Sequence, residues 1–191
     1  DNERPQQSTR DLATAAQLGS PDAQYEFAER LRRRGNLDVD QREALHWYAQ
    51  AAKSGHAGAQ HRYAVCLLEG HGCTANPREA LQWFLAAAEQ NHADAQALAG
   101  WCFHTGNGSP ADLERAFSWY YASAVNGNPI AQFNLGELYA QGQGVARDLA
   151  AAARHWQSAA EQNYAKAQLN LALAYANGEG VARDYEMAIY W

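Results

Sequence analysis

The chain has 191 residues, 47% of them apolar, and a formal net charge of −6. It carries enough apolar residue for a core, whereas an acidic balance excludes a chain-wide nucleic-acid surface, which needs clustered positive charge. No apolar stretch nears the ~18 residues of a membrane span, and three cysteines without a C-x-x-C pair make neither a disulfide framework nor a zinc module.

The sequence opens without Met and without a signal-peptide pattern, as expected of a trimmed or processed chain. Residues 1–7 are expected to form a flexible tail, and residues 8–19 a partial second helix of a repeat. From there the chain repeats itself. Ala-Gln falls at 23–24, 59–60, 95–96, 131–132 and 167–168, always 36 residues apart. Three residues beyond each Gln stand Phe27, Tyr63, Ala99, Leu135 and Leu171; one further stand Ala28, Ala64, Gly100, Gly136 and Ala172. These columns define units 23–58, 59–94, 95–130 and 131–166 and a truncated unit 167–191, all within one repeat domain, 8–191.

Each unit reads as a helix pair. Apolar residues at −1, +3 and +7 from the Gln mark one face of a first helix, helix A. Paired glycines follow, as in "GQGVARD" (142–148) and "GEGVARD" (178–184). Glycine takes the left-handed conformation that stops a helix without a Cβ clash. These turns follow a helix rather than a strand and lack Gly-Lys-Ser/Thr, so they do not read as phosphate loops. Asp40, Asn76, Asp112, Asp148 and Asp184 come next and read as N-caps of helix B. Helix B is expected to end at Gly55, Asn91, Gly127 and Asn163. Five of the six Trp (47, 83, 119, 156 and 191) fall on helix B and read as packing between units.

Signals for chemistry are weak. His56, His61 and Cys66 form the only local cluster among the seven His and three Cys. Its spacing fits neither an i, i+4 helical pair nor a zinc hairpin, and His56 and His92 read as loop surface. Cys66 and Cys102 share a helix A column and read as small buried hydrophobes. Glu26 and Glu29 read as solvated. No Ser-x-x-Lys or G-x-S-x-G is present. No catalytic, metal or cofactor residue is expected.

The columns resemble the Sel-one-like repeat (SLR), a relative of the tetratricopeptide repeat. "AQFNLGELYAQGQGVARD" (131–148) fits the first half of its pattern and "ALHWYAQAA" (44–52) the second. "LRRRGNLDVD" (31–40) lacks the paired-glycine turn. The resemblance implies an all-α, right-handed α-solenoid of 36-residue helix-turn-helix repeats, with helix A lining a concave face. Some relatives carry intra-repeat disulfides, but their Cys positions are Ala52 and Gln60 here. Penicillin-hydrolysing activity has been attributed to relatives.

In related repeats ligands meet helix A near +1, +5, +8 and +9. Tyr25, His61, Trp101, His104, Phe133, Glu137 and Leu169 are therefore the candidate partner-binding residues. A solvated face would be polar, whereas Tyr25, Trp101, Phe133 and Leu169 are apolar or aromatic, as partner anchors are. The alternative is contact between adjacent helices. Arg32, Arg33 and Arg34 form a secondary patch, either a solvated helix end or a site for phosphate or an acidic partner. The expected function is a non-enzymatic adaptor or scaffold for a protein or peptide partner, with no nucleic acid. The alternative is a cell-envelope protein binding cell-wall carbohydrate, or a weak hydrolase. Two Lys among 15 basic residues suit a GC-rich bacterial genome; periplasm, envelope and cytoplasm stay open. The cut at Trp191 predicts that residues 185–191 fray or make an end-to-end contact with another molecule.

Overall fold

The structure, a computed structural model, describes residues 3–34 and 38–191. Among them are eleven α-helices and no strand. They fall in two compact units, Asp1–His92 and Ala93–Trp191. The first holds α1 (Glu3–Gln17), α2 (Pro21–Arg34), α3 (Asp38–Lys53), α4 (Ala57–Glu69) and α5 (Pro77–Ala88). The second holds α6 (Ala93–Thr105), α7 (Leu113–Val125), α8 (Pro129–Gln141), α9 (Leu149–Ala160), α10 (Ala165–Asn177) and α11 (Tyr185–Tyr190). Even-numbered helices are helix A of a repeat and odd-numbered ones helix B. Within each unit the main contacts run between consecutive helices.

Helix boundaries follow local chemistry. Asn76, Asp112, Asp148 and Asp184 each accept a bond from the backbone N–H three residues on, which satisfies a donor that the helix cannot. The Asn76 side-chain amide also donates to Glu79 at 3.0 Å, while its backbone N–H goes to Leu67 O at 2.7 Å. Asp40 departs from the column: α3 already starts at Asp38, so Asp40 lies in its first turn and is not the cap. The helix starts early where the paired-glycine turn is missing, and residues 35–37 of that turn lie outside the described residues. Residues 1 and 2 of the expected tail also lie outside them, and α1 covers the rest of that stretch from Glu3.

The ends of helix B explain why one column accepts only Gly or Asn. Gly55, Asn91, Gly127 and Asn163 have φ of 88°, 63°, 83° and 63°, the left-handed region that these two residue types visit most readily. At "GQGVARD", Gly142 (φ 70°) donates to Leu138 O and ends α8. Gly144 lies against the backbone at Leu113, the first residue of α7 in the preceding repeat, where a Cβ would not fit. One glycine stops a helix; the other seats one repeat on its predecessor.

The core is built from small residues meeting aromatic ones. A Cβ on Gly100 would sit 2.8 Å from Tyr120, and one on Gly136 would sit 2.5 Å from Trp156. Ala28 packs in one buried cluster with Tyr48. The partner lies 20 residues beyond the small residue each time, on the following helix B. Trp156 thus occupies the fully aromatic column of Tyr48, Phe84 and Tyr120, while His155 takes the place that Trp47, Trp83 and Trp119 hold. His155 stacks on Tyr139 at 5.5 Å.

The Gln of each Ala-Gln pair ties the helices together. Gln24, Gln60, Gln132 and Gln168 donate to the carbonyls of Ala16, Ala52, Ala124 and Ala160 at 3.2–3.4 Å. Each carbonyl is the eighth residue back, at the end of the preceding helix B, where helical partners run out. The Gln oxygens then accept from the end of helix B of their own repeat: Gln90 to Gln60 (2.7 Å), Asn126 to Gln96 (2.8 Å) and Gln162 to Gln132 (2.8 Å). A polar ladder therefore runs along each unit.

Candidate functional site

The helix A residues at +1 are largely taken up by packing. Tyr25 stacks on His56 (4.6 Å, 25°), His61 on His92 (4.8 Å, 22°), and Phe133 packs on Tyr164 (5.4 Å, 52°). Each partner stands 31 residues on, at the loop entering the next helix A. Where the +1 residue is only Ala97, Asn128 in the partner column donates to Asp94 at 2.8 Å instead. His61 is 8% exposed and cannot be a groove residue; it is a buried ring between helices. His56 and His92 are half-buried rather than loop surface. The His56 Nδ1 caps α4 by accepting from Ala59 at 3.0 Å.

Several +1 and +5 residues of the second unit remain at least partly exposed. Trp101 on α6 and Phe133 on α8 are half-buried. Leu169 and Leu173 on α10 are 61% and 52% exposed. Glu137 stands between α8 and α10, accepting from Asn170 at 2.6 Å and from Gln141 at 3.2 Å. His104 is half-buried in a T-shaped contact with the Tyr120 ring, 6.2 Å away at 85°. Of the candidates, then, Trp101, Phe133, Glu137 and Leu169 share a partly open helix A face. Tyr25, His61, His104 and Phe133 each have an aromatic neighbour.

The arginine run resolves into an ion cluster around Glu29. Glu29 is 3% exposed, so the solvated reading of it is wrong. It accepts from the Tyr48 hydroxyl at 2.7 Å and from Arg32 at 2.9 Å. Arg62 Nε lies 3.0 Å away and Arg33 3.8 Å. Burial pushes the carboxyl up, but the Arg32 and Tyr48 bonds and the Arg62 and Arg32 charges outweigh it and hold it below its ordinary value. Burial and the Glu29 bond together raise the Tyr48 phenol. Arg34 is exposed. Glu26 is separate, pairing with Arg30 at 3.5 Å.

Cys102 is fully buried, and burial pushes its thiol up to about 11. Cys66 is only half-buried, against the expectation, although its thiol is also pushed up to about 11, by burial and the neighbouring Cys73. Neither is a thiolate near neutral pH, so neither is poised as a nucleophile. Among the described residues no group of three or more His, Cys, Asp or Glu is placed to hold a metal. None of the described helices is long and apolar enough to cross a membrane.

Helix pairs of 36 residues, stacked through a repeated ladder and repeated ring contacts, define an α-solenoid repeat protein. The Sel1 repeat model matches residues 21–56, 57–92, 93–128, 129–164 and 165–191, and the chain belongs to that family. A Sel1 repeat protein from Oxalobacter formigenes is 32% identical, with a TM-score of 0.82 over 91% of this chain and 69% of that one. The protective antigen c5321 of uropathogenic Escherichia coli, described as displaying an SLR fold, is 26% identical, with a TM-score of 0.75. That match covers 94% of this chain and 46% of the antigen. Cysteine rich protein B of Helicobacter pylori shares the fold at 18% identity and a TM-score of 0.55, over 69% of this chain and 94% of that one. No curated protein matches. The Sel1 repeat fold is generally a non-catalytic scaffold for protein interaction.

Proposed function

We infer that this protein is a non-enzymatic adaptor that binds a protein or peptide segment on the helix A face of α6, α8 and α10. The observation that carries the reading is the exposure of Leu169 (61%) and Leu173 (52%), one turn apart on α10. They stand beside a carboxylate, Glu137, that is already oriented by Asn170. An apolar anchor flanked by a fixed hydrogen-bond acceptor is what a peptide backbone and one buried side chain need. Trp101 and Phe133 add half-buried aromatic surface on the preceding helices. The carbohydrate reading draws less support, because sugars are recognised by stacking on open aromatic faces. Phe133 gives its ring to Tyr164, and the most exposed residues here are aliphatic.

Selection of peptides from a random library against the whole chain tests this. Enriched sequences should carry an apolar anchor and lose at least tenfold in affinity for the Leu169→Glu, Leu173→Glu double variant. Trp101→Ala should weaken them as a hot-spot residue does, by about 2 kcal/mol, with the fold retained. No enrichment, or equal binding to the double variant, would sink the assignment.

A further inference from the structure

A cavity of about 280 Å³ opens between α2, α3 and α4. Arg32, Tyr48, Arg62, Val65, Cys66 and Glu69 are among the residues that line it. Behind them sits Glu29, and its two oxygens organise the wall. Oε1 accepts from the Tyr48 hydroxyl at 2.7 Å and is ion-paired with Arg62 Nε at 3.0 Å, while Oε2 accepts from Arg32 Nη2 at 2.9 Å. Two long cationic side chains that would otherwise sample many rotamers are thus fixed at one cavity. A guanidinium carries five N–H donors, and Glu29 engages one nitrogen of each. Most of their donors therefore lie outside the Glu29 bonds.

Charge points the same way. Arg32, Arg33 and Arg62 surround a single buried carboxylate. Glu69, the acidic residue of the lining, sits at an exposed position 3.1 Å from His71. Val65, Ala44 and the protonated Cys66 supply an apolar flank. An arrangement with surplus guanidinium donors on one side and an aliphatic wall on the other suits a carboxylate on a short methylene stem. Inorganic phosphate has no stem to lay against that wall and would leave the apolar flank unused.

We propose that the cavity between α2, α3 and α4 is a binding site for an acidic side chain of a peptide ligand, its carboxylate held by Arg32 and Arg62. The run Arg32–Arg34 supplies only one arm of this site. Arg62, which lies on α4 outside the run, supplies the other, and Glu29 positions both. The site shares no residue with Trp101, Phe133, Glu137 or Leu169, so either assignment can fail while the other stands.

Fluorescence anisotropy of a labelled Ala-Glu-Val-Glu-Val-Ala peptide with the whole chain tests it, beside the same peptide with Gln for Glu. The Glu peptide should bind at least tenfold more tightly than the Gln peptide, and Arg62→Gln should remove that preference. In the unaltered protein, the Nε–H resonance of Arg62 should shift on adding the Glu peptide, a readout that does not depend on a variant folding. Equal binding of the two peptides, binding of neither, or an unmoved Arg62 resonance would overturn the proposal. Free glutarate displacing the peptide at equal concentration would overturn the peptide source in favour of a small dicarboxylate. Displacement by inorganic phosphate but not by glutarate would overturn the carboxylate.

Discussion

At Glu29 a single side chain joins three helices of its unit through Tyr48, Arg32 and Arg62. Glu29→Gln keeps the shape but removes the charge that the hydroxyl and both guanidiniums bond to. Because Arg32 and Arg62 are 47% and 35% exposed in their side chains, water recovers part of the loss. The cost should be about 2 kcal/mol, below that of breaking a fully buried pair, and is readable as a lowered urea midpoint. An unchanged midpoint would show the cluster to be energetically idle. The carboxyl lies below its ordinary value of 4.5 in the folded chain, so the unfolded chain takes up the proton first. The stabilisation is therefore whole above that pH and fades as the pH falls through the lower, folded value. Glu29→Gln should flatten the fall in stability between about pH 5 and 3. A parent and variant with parallel acid curves would contradict it. Nothing in the sequence marked Glu29, because Glu26 and Glu29 look alike on one helix. The residues that separate them, Tyr48 and Arg62, come from other helices, beyond the reach of any helical period.

Among elements, the repeat columns were legible because each is fixed by a contact that recurs in most repeats. The small column is the plainest case. A Cβ at Gly136 would meet Trp156 Cδ1 and Nε1 at 2.5 Å and Ala152 O at 3.1 Å, so Gly136→Val must push α8 and α9 apart. Overpacking of this kind costs about 1–3 kcal/mol; a melting temperature equal to the parent's would refute the close approach. The Ala-Gln column was legible as a period but not as a device, since its bonds run to a carbonyl eight residues back and a side chain 30 residues on. In the first repeat that device is incomplete. The Gln24 Oε1 is buried without a partner, because the residue 30 places on is Ser54, which bonds back to Gln50 instead. In the other repeats that position is Gln90, Asn126 or Gln162. Ser54→Gln should supply the missing donor and stabilise by about 1 kcal/mol, the net worth of one hydrogen bond. A melting temperature that stays level or falls would show that Gln24 is satisfied in some other way. The candidate groove was legible only in part. Aromatic residues on helix A predicted an open face, but Tyr25, His61 and Phe133 each meet a ring from the following loop. A column pattern cannot tell a ring held between repeats from one facing solvent.

At the scale of the whole molecule, stability should grade along the chain rather than switch as one block. Within each unit the principal contacts join only consecutive helices, so each helix pair is held by its own packing and by its neighbours. Hydrogen exchange should follow that local arithmetic, because amides in weakly supported segments open without the rest. The helix α11 is weakly supported. It has six residues and none of them is buried, and Tyr185, Ile189 and Tyr190 are 63%, 86% and 73% exposed. What holds it is the Asp184 cap on Met187 N–H at 3.0 Å and Trp191, which packs against the α9–α10 cluster. A helix this short has no stability of its own in water. The amides of 187–191 should therefore exchange at least a hundredfold faster than those of α8 and α9 at low protein concentration. If the exposed apolar residues meet a second molecule end to end, the same amides should slow as concentration rises, while those of α8 and α9 stay unchanged. Slow exchange at 187–191 in a chain shown by sedimentation to be monomeric would mean that the Asp184 cap and Trp191 suffice, and that graded stability fails at this end.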